Sequence, residues 1–371
     1  MVERQLPKLD TRVRFPSPAF SRLEARSNFL AFEYAIRLAC WKQPQPHFAF
    51  THHQKGLTMP SNTPSKGWQN APALNKLTAS QQGGSRGAQL WGVAYNGRLY
   101  SIYQISPGGG WSEWAADWAG PSNPKQFYEL TAAQQNNGCV QFWALDMKVQ
   151  LWTTGQTSPG GNWTKWQGPN WNNSPKGMKR IAASQQGGPR GAQLWGITDD
   201  YLLVTCYQQT PGGTWSSWAP WPATPDNSQF IEITAAQQND GRVQLWALDT
   251  KMQLWSCWQT SPGGNWTPWS SPNWGGAPKL KNIAACQQGG SRGAQLWGIT
   301  EDYAIVSIYQ VSPGGNWSAW STGNWWNGPL AYELTVAQQN NGCVQLWAIT
   351  LDGRLTSVSQ VSPGGNWGNW S

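Results

Sequence analysis

One block of about fifty residues recurs six times along this chain, and no other feature limits its fold as strongly. The copies are spaced by 50 to 52 residues. Self-similarity at such a period indicates that each copy folds as one supersecondary unit. Each copy is marked by the tryptophan of a Leu/Phe-Trp-Ala/Gly triplet, at Trp91, Trp143, Trp195, Trp246, Trp297 and Trp347.

Each copy divides into four short strand-like runs separated by turn residues. In the second copy the runs are ELTAAQQ, VQFWALD, KVQLWTTGQ and NWTKWQG. Four strands in a unit of this length, repeated six times, are typical of a propeller, whereas a sandwich or barrel of 24 strands has no natural closure. We therefore predict an all-β, six-bladed β-propeller with four antiparallel strands per blade. Ring closure would rest on packing of blade six against blade one, because each blade comes from contiguous sequence.

A finer pattern lies over the six copies. Odd copies carry QQGG[SP]RGAQLWG, and even copies carry [AV]AQQN[ND]G[CR]VQ[LF]WA. The alternation predicts a pseudo-threefold repeat of blade pairs. Small residues of the first run suit the crowded central channel, and the Trp-rich fourth run suits the outer edge, where Gln and Asn could accept the indole N–H groups.

Residues 1–58 are a different kind of sequence. They contain all three histidines and none of the repeat. We expect a non-repeat extension, disordered or preceding a natural start at Met59, with the propeller spanning 59–371. The most apolar run of this segment is interrupted by Glu33 and Arg37, which fits neither a signal-peptide core nor a membrane span. The expected location is therefore cytoplasmic, or outside the cell after release without a signal peptide.

Charge and reactive residues argue against several functions. The formal net charge is +8, but residues 59–371 hold seventeen Lys/Arg against fourteen Asp/Glu, so the repeats lack the basic face that nucleic-acid binding needs. The repeats contain no histidine, and their aspartates recur at strand turns, so we expect no enzyme, no cofactor and no metal site. Five cysteines in the repeats, without a C-x-x-C motif, are expected to be free thiols.

Aromatic and amide side chains are the most abundant candidates for ligand binding. The chain has 29 tryptophans, and a sugar site combines an aromatic plate with amides, a carboxylate or an arginine. Residues that are identical in all copies are more simply explained as scaffold. The candidate sugar-binding residues are Arg86, Trp111, Gln141, Trp152, Trp163, Arg190, Trp215, Gln244, Trp255, Trp266, Arg292 and Trp317.

Two groups of candidates break the sixfold pattern. Trp152 and Trp255 stand where other copies have Tyr, Val or Thr, and would offer extra aromatic plates. The three arginines occur only in odd copies, in a Gly-rich loop expected on the same face as the Pro-Gly-Gly turn. They would bind sugar or stack on Trp111, Trp215 or Trp317 and lock the loop. Glu129, Glu232 and Glu333 recur in even copies near the opposite face, where pairing with Lys or Arg is an alternative to a binding role.

The segment NDGRVQLWALDTKMQLWSCWQTSPGGNWTPW, residues 239–269, resembles the repeat of PLL-type bacterial β-propeller lectins. The shared elements are D-G-R-[LV], L-W-x-x-W-Q and P-G-G-x-W-[ST]-x-W. The resemblance implies several equivalent sugar sites between neighbouring blades, often for fucose or O-methylated sugars. Those lectins typically have seven blades, whereas six is the number in the related tectonin-type propellers. The acidic position of the family's second strand is Gln here in all copies, so that sugar contact is not carried across.

These observations together predict a multivalent lectin whose partners are glycans. Weak single sites would combine into useful avidity on a multivalent glycan surface. The alternative is a non-catalytic protein-interaction scaffold. The sequence leaves open whether there are three sites or six, and whether the chain forms a homo-oligomer.

Overall fold

The computed structural model describes residue 68 and residues 70–118, 126–221, 228–270 and 272–371. The predicted N-terminal extension, 1–58, lies outside the described residues, and the boundary at Met59 stays a prediction. In the described part, no helix is long and apolar enough to cross a membrane.

Six antiparallel sheets, each built from contiguous sequence, make up the part of the chain that the structure describes, and we number them as blades 1 to 6. Blade 1 contains β1 (Leu74–Gln81), β2 (Ala88–Ala94), β3 (Leu99–Tyr103) and β4 (Ala115–Ala116), and blade 2 contains β5 (Phe127–Gln134), β6 (Val140–Asp146) and β7 (Leu151–Gly155). Blade 3 contains β8 (Met178–Gln185), β9 (Ala192–Thr198), β10 (Leu203–Tyr207) and β11 (Ala219–Pro220), and blade 4 contains β12 (Phe230–Gln237), β13 (Val243–Asp249) and β14 (Leu254–Trp258). Blade 5 contains β15 (Leu280–Gln287), β16 (Ala294–Thr300) and β17 (Ile305–Tyr309), and blade 6 contains β18 (Ala331–Gln338), β19 (Val344–Thr350) and β20 (Leu355–Ser359). Among the described residues, three short 3-10 helices precede blades 3, 5 and 6: Trp171–Asn173, Trp274–Gly276 and Trp325–Asn327.

The first strands of neighbouring blades pack around a central channel, and the ring closes where β18 meets β1. At the closure, the Trp68 indole N–H donates to Ser357 Oγ at 3.1 Å, and the Tyr332 hydroxyl donates to the Leu74 carbonyl at 3.1 Å. The prediction of a six-bladed β-propeller that closes by packing is confirmed. Small residues of the first strands line the channel, also as predicted.

The fourth strand differs from the prediction, because most of it is not a regular strand. Blades 1 and 3 have a two-residue fourth strand, and the other blades keep only isolated bridges such as Gln156 to Trp163. In blades 1 to 5 the hydroxyl of the W-[ST]-x-W element accepts a backbone N–H at the end of the third strand, as Thr164 Oγ1 does from Gly155 at 3.1 Å, whereas blade 6 has Gly368 at this position. A side chain thereby replaces part of the backbone ladder.

The tryptophans that recur in the copies of the repeat form clusters between blades. At five interfaces, the Trp of the second strand meets the first outer Trp of the next blade and a Trp of the connecting segment, with ring centroids 4.7 to 6.2 Å apart and planes at 60° to 87°. Perpendicular rings of this kind add attraction beyond the buried area. The clusters are Trp91–Trp118–Trp163, Trp143–Trp171–Trp215, Trp195–Trp221–Trp266, Trp246–Trp274–Trp317 and Trp297–Trp325–Trp367.

The second-strand tryptophans are fully buried, which confirms their scaffold role. Their indole N–H groups, however, have no N or O acceptor within the described residues, so the expected bonds to Gln and Asn are not formed there. The neighbouring ring faces occupy the space where an amide would have to lie. The five described cysteines are buried free thiols, as predicted.

Candidate binding sites

The interfaces between blades are of two alternating kinds. From an even blade to the next odd blade, the Gln of the even blade's first turn accepts the backbone N–H of the next Pro-Gly-Gly turn, as in Gln135 Oε1 with Gly212 at 2.8 Å. From an odd to an even blade, the Gln of the Pro-Gly-Gly strand reaches back, as in Gln156 Nε2 to Gln82 Oε1 at 2.6 Å. The pseudo-threefold alternation of the sequence therefore produces two chemically different interfaces.

A cleft of about 490 Å³ opens at the interface between blades 6 and 1. Its apolar wall consists of Trp68, Trp111 and Trp114. Trp68 lies tilted at 50° against Trp111, 5.4 Å between centroids, and also contacts Trp114, so the ring arrangement of the other interfaces is altered here. Exposed polar groups, Glu113 and Asn369, stand at the cleft beside these rings. A volume of this size suits one or two sugar rings, since ligand pockets commonly measure about 300 to 1,000 Å³.

The predicted glutamines are held inside the blades. In the cleft, Gln345 Nε2 donates to Ser357 Oγ at 3.1 Å, and its Oε1 accepts from Gln339 at 3.0 Å. Gln141 and Gln244 make the same two bonds in blades 2 and 4, so both ends of each amide are used within the protein. These amides position the walls of the interfaces, and their hydrogen-bonding groups are engaged before any ligand arrives.

Trp111 and Gln345 line the same cleft. The sequence repeat places Trp215 with Gln141, and Trp317 with Gln244, at the equivalent interfaces. Each of these outer tryptophans is partly exposed and packs edge-on against the buried Trp of the preceding blade. Trp163 and Trp266 make the same contact at odd-to-even interfaces.

The third-strand tryptophans Trp152 and Trp255, predicted to offer extra aromatic surfaces for a sugar, do not face the solvent. Both are buried, at 7% and 2% exposure, and their indole N–H groups donate to Asp146 and Asp249 at 2.9 Å. The expectation of a sugar-facing ring is wrong here because the turn aspartate draws the indole into the blade. The same aspartates accept backbone N–H groups of their turns, as in Asp146 Oδ1 from Lys148 at 2.9 Å, which confirms their assignment to turn chemistry.

The three loop arginines lie on the predicted face, which we call the loop face: the Gly-rich loops between first and second strands together with the Pro-Gly-Gly turns. Gly83 lies so close to Pro159 of blade 2 that a Cβ on Gly83 would be 2.6 Å from the proline Cβ. The stacking partner of each arginine is a tyrosine of its own blade, whereas the predicted partner was a tryptophan. Trp111, Trp215 and Trp317 are turned toward the buried Trp of the preceding blade, which leaves the tyrosine at the end of the third strand as the ring beneath the loop. The pairs are Arg86 over Tyr103 at 4.1 Å, Arg190 over Tyr207 at 4.1 Å and Arg292 over Tyr309 at 4.3 Å.

A charge cluster surrounds the axis toward the opposite face, and we call it the axial cluster: Glu129, Glu232 and Glu333 from even blades, with Lys76, Arg180 and Asn282 at equivalent positions of odd blades. Lys76 Nζ lies 3.5 Å from Glu129 and 3.3 Å from Glu333, and Arg180 Nε lies 3.3 Å from Glu232. The prediction that these glutamates pair with Lys or Arg is confirmed.

The third odd blade supplies no cation to this cluster. Asn282 Nδ2 donates to Glu333 at 3.3 Å, while its buried Oδ1 has no partner within the described residues. Three carboxylates thus face two cations. Burial raises the pKa of Glu129 to about 7, partly opposed by Lys76 and Arg180, and burial also raises the pKa of Glu333. The sequence analysis missed Lys76, Arg180 and Asn282, although a polar third residue in each odd first strand was a readable signal.

No protein-family model matches the chain, and no curated protein matches it by sequence. Solved structures do resemble its fold. AofleA from Arthrobotrys oligospora is 13% identical with a TM-score of 0.60, covering 80% of this chain and 85% of that one. The SapL1 lectin in complex with α-methyl fucoside is 13% identical with a TM-score of 0.57, covering 80% and 96%. A fungal lectin from Aleuria aurantia, described as a six-bladed β-propeller with a novel fucose recognition mode, is 14% identical with a TM-score of 0.54, covering 80% and 95%.

Proposed function

We propose that this propeller is a multivalent lectin that binds neutral sugars at its even-to-odd blade interfaces. The cleft between blades 6 and 1 carries the proposal, because three indoles there stand beside a carboxylate and an amide. Indole faces pack against the C–H face of a sugar ring while the polar groups bind its hydroxyls. The equivalent pairs Trp215 with Gln141 and Trp317 with Gln244 support three sites.

Fucose and O-methylated sugars are the first candidate ligands. Two of the structures similar in fold are named for fucose recognition or a fucoside complex. The P-G-G-x-W-[ST]-x-W repeat supports a relationship to PLL-type lectins within this proposal, and the six blades support one to tectonin-type propellers. The proposal includes a role in binding rather than catalysis, and a location in the cytoplasm or outside the cell after release without a signal peptide.

A glycan array followed by titration calorimetry with α-methyl fucoside tests the proposal on the full-length chain. We expect a saturable hit with three sites per chain. Glu113→Gln should remove one of them, because blades 3 and 5 have Ser217 and Ala319 at this position. Glu301→Gln, an exposed carboxylate remote in sequence from the cleft residues, is the control and should leave all sites. A blank array from folded protein would refute the lectin proposal.

A protein-interaction surface is the second candidate, and one observation favours it. Ile105, Val311 and Val361 are exposed by 58%, 55% and 74% at equivalent positions of blades 1, 5 and 6, which are neighbours in the ring. Blades 2 to 4 have Thr157, Gln209 and Thr260 there. Light scattering after size-exclusion chromatography tests whether these residues support a homo-oligomer. Concentration-dependent association that Val361→Ser abolishes would favour this function.

A further inference from the structure

We propose that the three loop arginines form a second class of site, specific for the carboxylate or sulfate groups of acidic glycans. This inference rests on the proposed function only in taking the ligand to be a glycan. None of the three arginines lines the cleft between blades 6 and 1: their sites lie in the Gly-rich loops of the loop face, whereas the proposed neutral-sugar clefts are lined by the outer tryptophans.

The first argument is the pairing of the arginines. Seven arginines belong to the described residues, and four have a carboxylate partner: Arg98 with Asp117, Arg180 with Glu232, Arg242 with Asp240 and Arg354 with Asp352. Arg86, Arg190 and Arg292 have no ion pair in the part of the chain that the structure describes. Their loops, QQGGSRG, QQGGPRG and QQGGSRG, contain no acidic residue. Three guanidinium groups are thus left with uncompensated charge at threefold-related positions.

The second argument is the tyrosine beneath each guanidinium. Stacking at 4.1 to 4.3 Å covers one face of the planar group, and a stacked guanidinium keeps its N–H edge in the plane, free of the ring. Even blades lack this pair: blades 2 and 6 have no arginine in the equivalent loop, Arg242 of blade 4 is paired with Asp240, and Gly155, Trp258 or Ser359 replaces the tyrosine. A loop arginine without an ion pair therefore occurs only in the blades that carry the tyrosine.

The third argument is that each loop is fixed before a ligand binds. An asparagine of the preceding even blade ties the loop carbonyls together: Asn136 Nδ2 donates to Gln186 at 2.8 Å and to Arg190 at 2.5 Å. Asn239 and Asn340 make the equivalent bonds to Arg292 and Arg86. On the other side, the Pro-Gly turn of the next blade supports the loop, since a Cβ on Gly160 would lie 3.8 Å from Arg86 Cδ. Ordering a site in advance removes part of the entropic cost of binding.

The chemistry of a fixed guanidinium favours an oxyanion over a sugar hydroxyl. A carboxylate or sulfate accepts two parallel N–H bonds and neutralises the charge, which makes such bonds roughly twice as strong as neutral ones. A hydroxyl can accept one bond and leaves the charge in place. The three sites would act together on a polymer that carries repeated acidic groups.

Binding of galacturonan oligosaccharides tests the proposal on the full-length chain, with the fully methyl-esterified oligosaccharide as the uncharged match. We expect the acidic form to bind and the ester not to bind, with an affinity that falls as NaCl rises from 50 to 300 mM. A sulfated oligosaccharide of the same length distinguishes sulfate from carboxylate as the preferred group. Equal binding of the ester would overturn the proposal.

Two triple variants, each of which removes three positive charges, distinguish binding at the three loop arginines from nonspecific electrostatic attraction of the oligosaccharide. R86Q/R190Q/R292Q should weaken binding of the acidic oligosaccharide at least tenfold, or about 1.4 kcal/mol, because glutamine cannot form the charge-assisted bonds of a guanidinium. R98Q/R242Q/R354Q removes three arginines that are already paired with Asp117, Asp240 and Asp352 and should retain binding within about threefold. Equal losses in both variants would reduce the effect to net charge and refute the proposal.

Further measurements keep the two proposals separate and check the ligand class. Binding of α-methyl fucoside should be unchanged in R86Q/R190Q/R292Q, so that loss of one class of binding alone refutes one proposal alone. Thermal unfolding of each variant confirms that it is folded. If a single-stranded oligonucleotide bound as tightly as the acidic glycan with the same dependence on the three arginines, the assignment to glycans would be wrong.

Discussion

Replacement of Lys76 by methionine should destabilise the propeller strongly, and more at pH 8 than at pH 5. Lys76 Nζ lies between Glu129 and Glu333 at 3.5 and 3.3 Å, and all three side chains are buried or nearly so. At an effective dielectric constant of 20, each contact represents about 5 kcal/mol of gross attraction, most of which offsets the desolvation of the charges. Methionine fills a similar volume but leaves the three carboxylates of the axial cluster with Arg180 as their one cationic partner in the cluster.

The expected loss follows from breaking a buried ion pair rather than replacing both partners. Removal of one partner typically costs about 3–5 kcal/mol, because the other charge stays buried without compensation. In a domain of this size that corresponds to a fall of roughly 6–10 °C in the unfolding temperature at pH 8. The pKa values of Glu129 and Glu333, already raised by burial, would rise further without Lys76. Glu129, whose pKa is about 7 even with Lys76 present, would then be largely protonated at pH 5 in the folded state, and much of the penalty would disappear.

Thermal unfolding followed by circular dichroism at pH 5 and pH 8 measures both parts of this prediction. Lys179→Met is the matched control: this half-buried lysine of β8 pairs with the exposed Asp199, 3.6 Å from its Nζ, and its replacement should change the unfolding temperature by less than about 2 °C. An equal loss at both pH values would show that the lysine stem packs the core and that its charge contributes little. No loss at pH 8 would refute the account of the axial cluster.

Three further predictions concern the same ring of blades. Wild-type stability should fall as pH rises from 5 to 8, because the pKa of Glu129 in the folded state, about 7, lies above its unfolded value, so that the folded state binds more protons over this range. Glu129→Gln should flatten this dependence of the unfolding temperature on pH. Asn136→Ala should cost about 1–3 kcal/mol and speed amide hydrogen exchange in residues 186–190, because the carbonyls that it ties lose their donor. Gly84→Ala should lower the unfolding temperature in the same assay, since Gly84 has φ +69° and a Cβ there would lie 3.0 Å from the Pro159 carbonyl; an unchanged temperature would mean that the loop yields at no cost.

The repeat period was enough to predict the blades, because each blade is a local structure that one copy of the sequence encodes. The alternation of the first loop between odd and even copies was equally readable in the sequence, and it produces the two kinds of interface. Contacts between copies were harder to predict. The stacking of Arg86 on Tyr103 depends on which way Trp111 turns, and Trp111 turns toward Trp347, which lies 236 residues later in the chain. Closure of the ring decides that direction, and no local pattern encodes closure.

Burial decided the outcome for the tryptophans. An unusual Trp in the third strand, such as Trp152, suggested an exposed plate, because the sequence shows the ring but not its direction. The structure shows that Asp146, six residues earlier, binds the indole N–H and holds it in the blade. In blades 1 and 3 the equivalent third-strand residues are Tyr100 and Val204, and neither blade has an aspartate at the position of Asp146. Covariation of Trp with Asp between copies was the signal that could have corrected the prediction.

The axial cluster has one cation fewer than it has carboxylates, and we therefore predict that Asn282→Lys stabilises the protein at pH 8. Asn282 is the third residue of β15, as Lys76 and Arg180 are the third residues of β1 and β8. Within the described residues its amide is bonded to Glu333 alone. A lysine there would bring the count of charges to three against three and lower the raised pKa values of Glu129 and Glu333. We expect a gain of about 1–2 kcal/mol, or roughly 2–4 °C, at pH 8 and a smaller gain at pH 5, where protonation of Glu129 has removed one of the negative charges. Asn282→Met, which adds volume without charge, should be destabilising at both pH values because it removes a donor from a buried carboxylate. A lower unfolding temperature for Asn282→Lys than for wild type at pH 8 would mean that desolvation of a third ammonium outweighs its attraction to Glu232 and Glu333, and that two cations are the optimum for this ring.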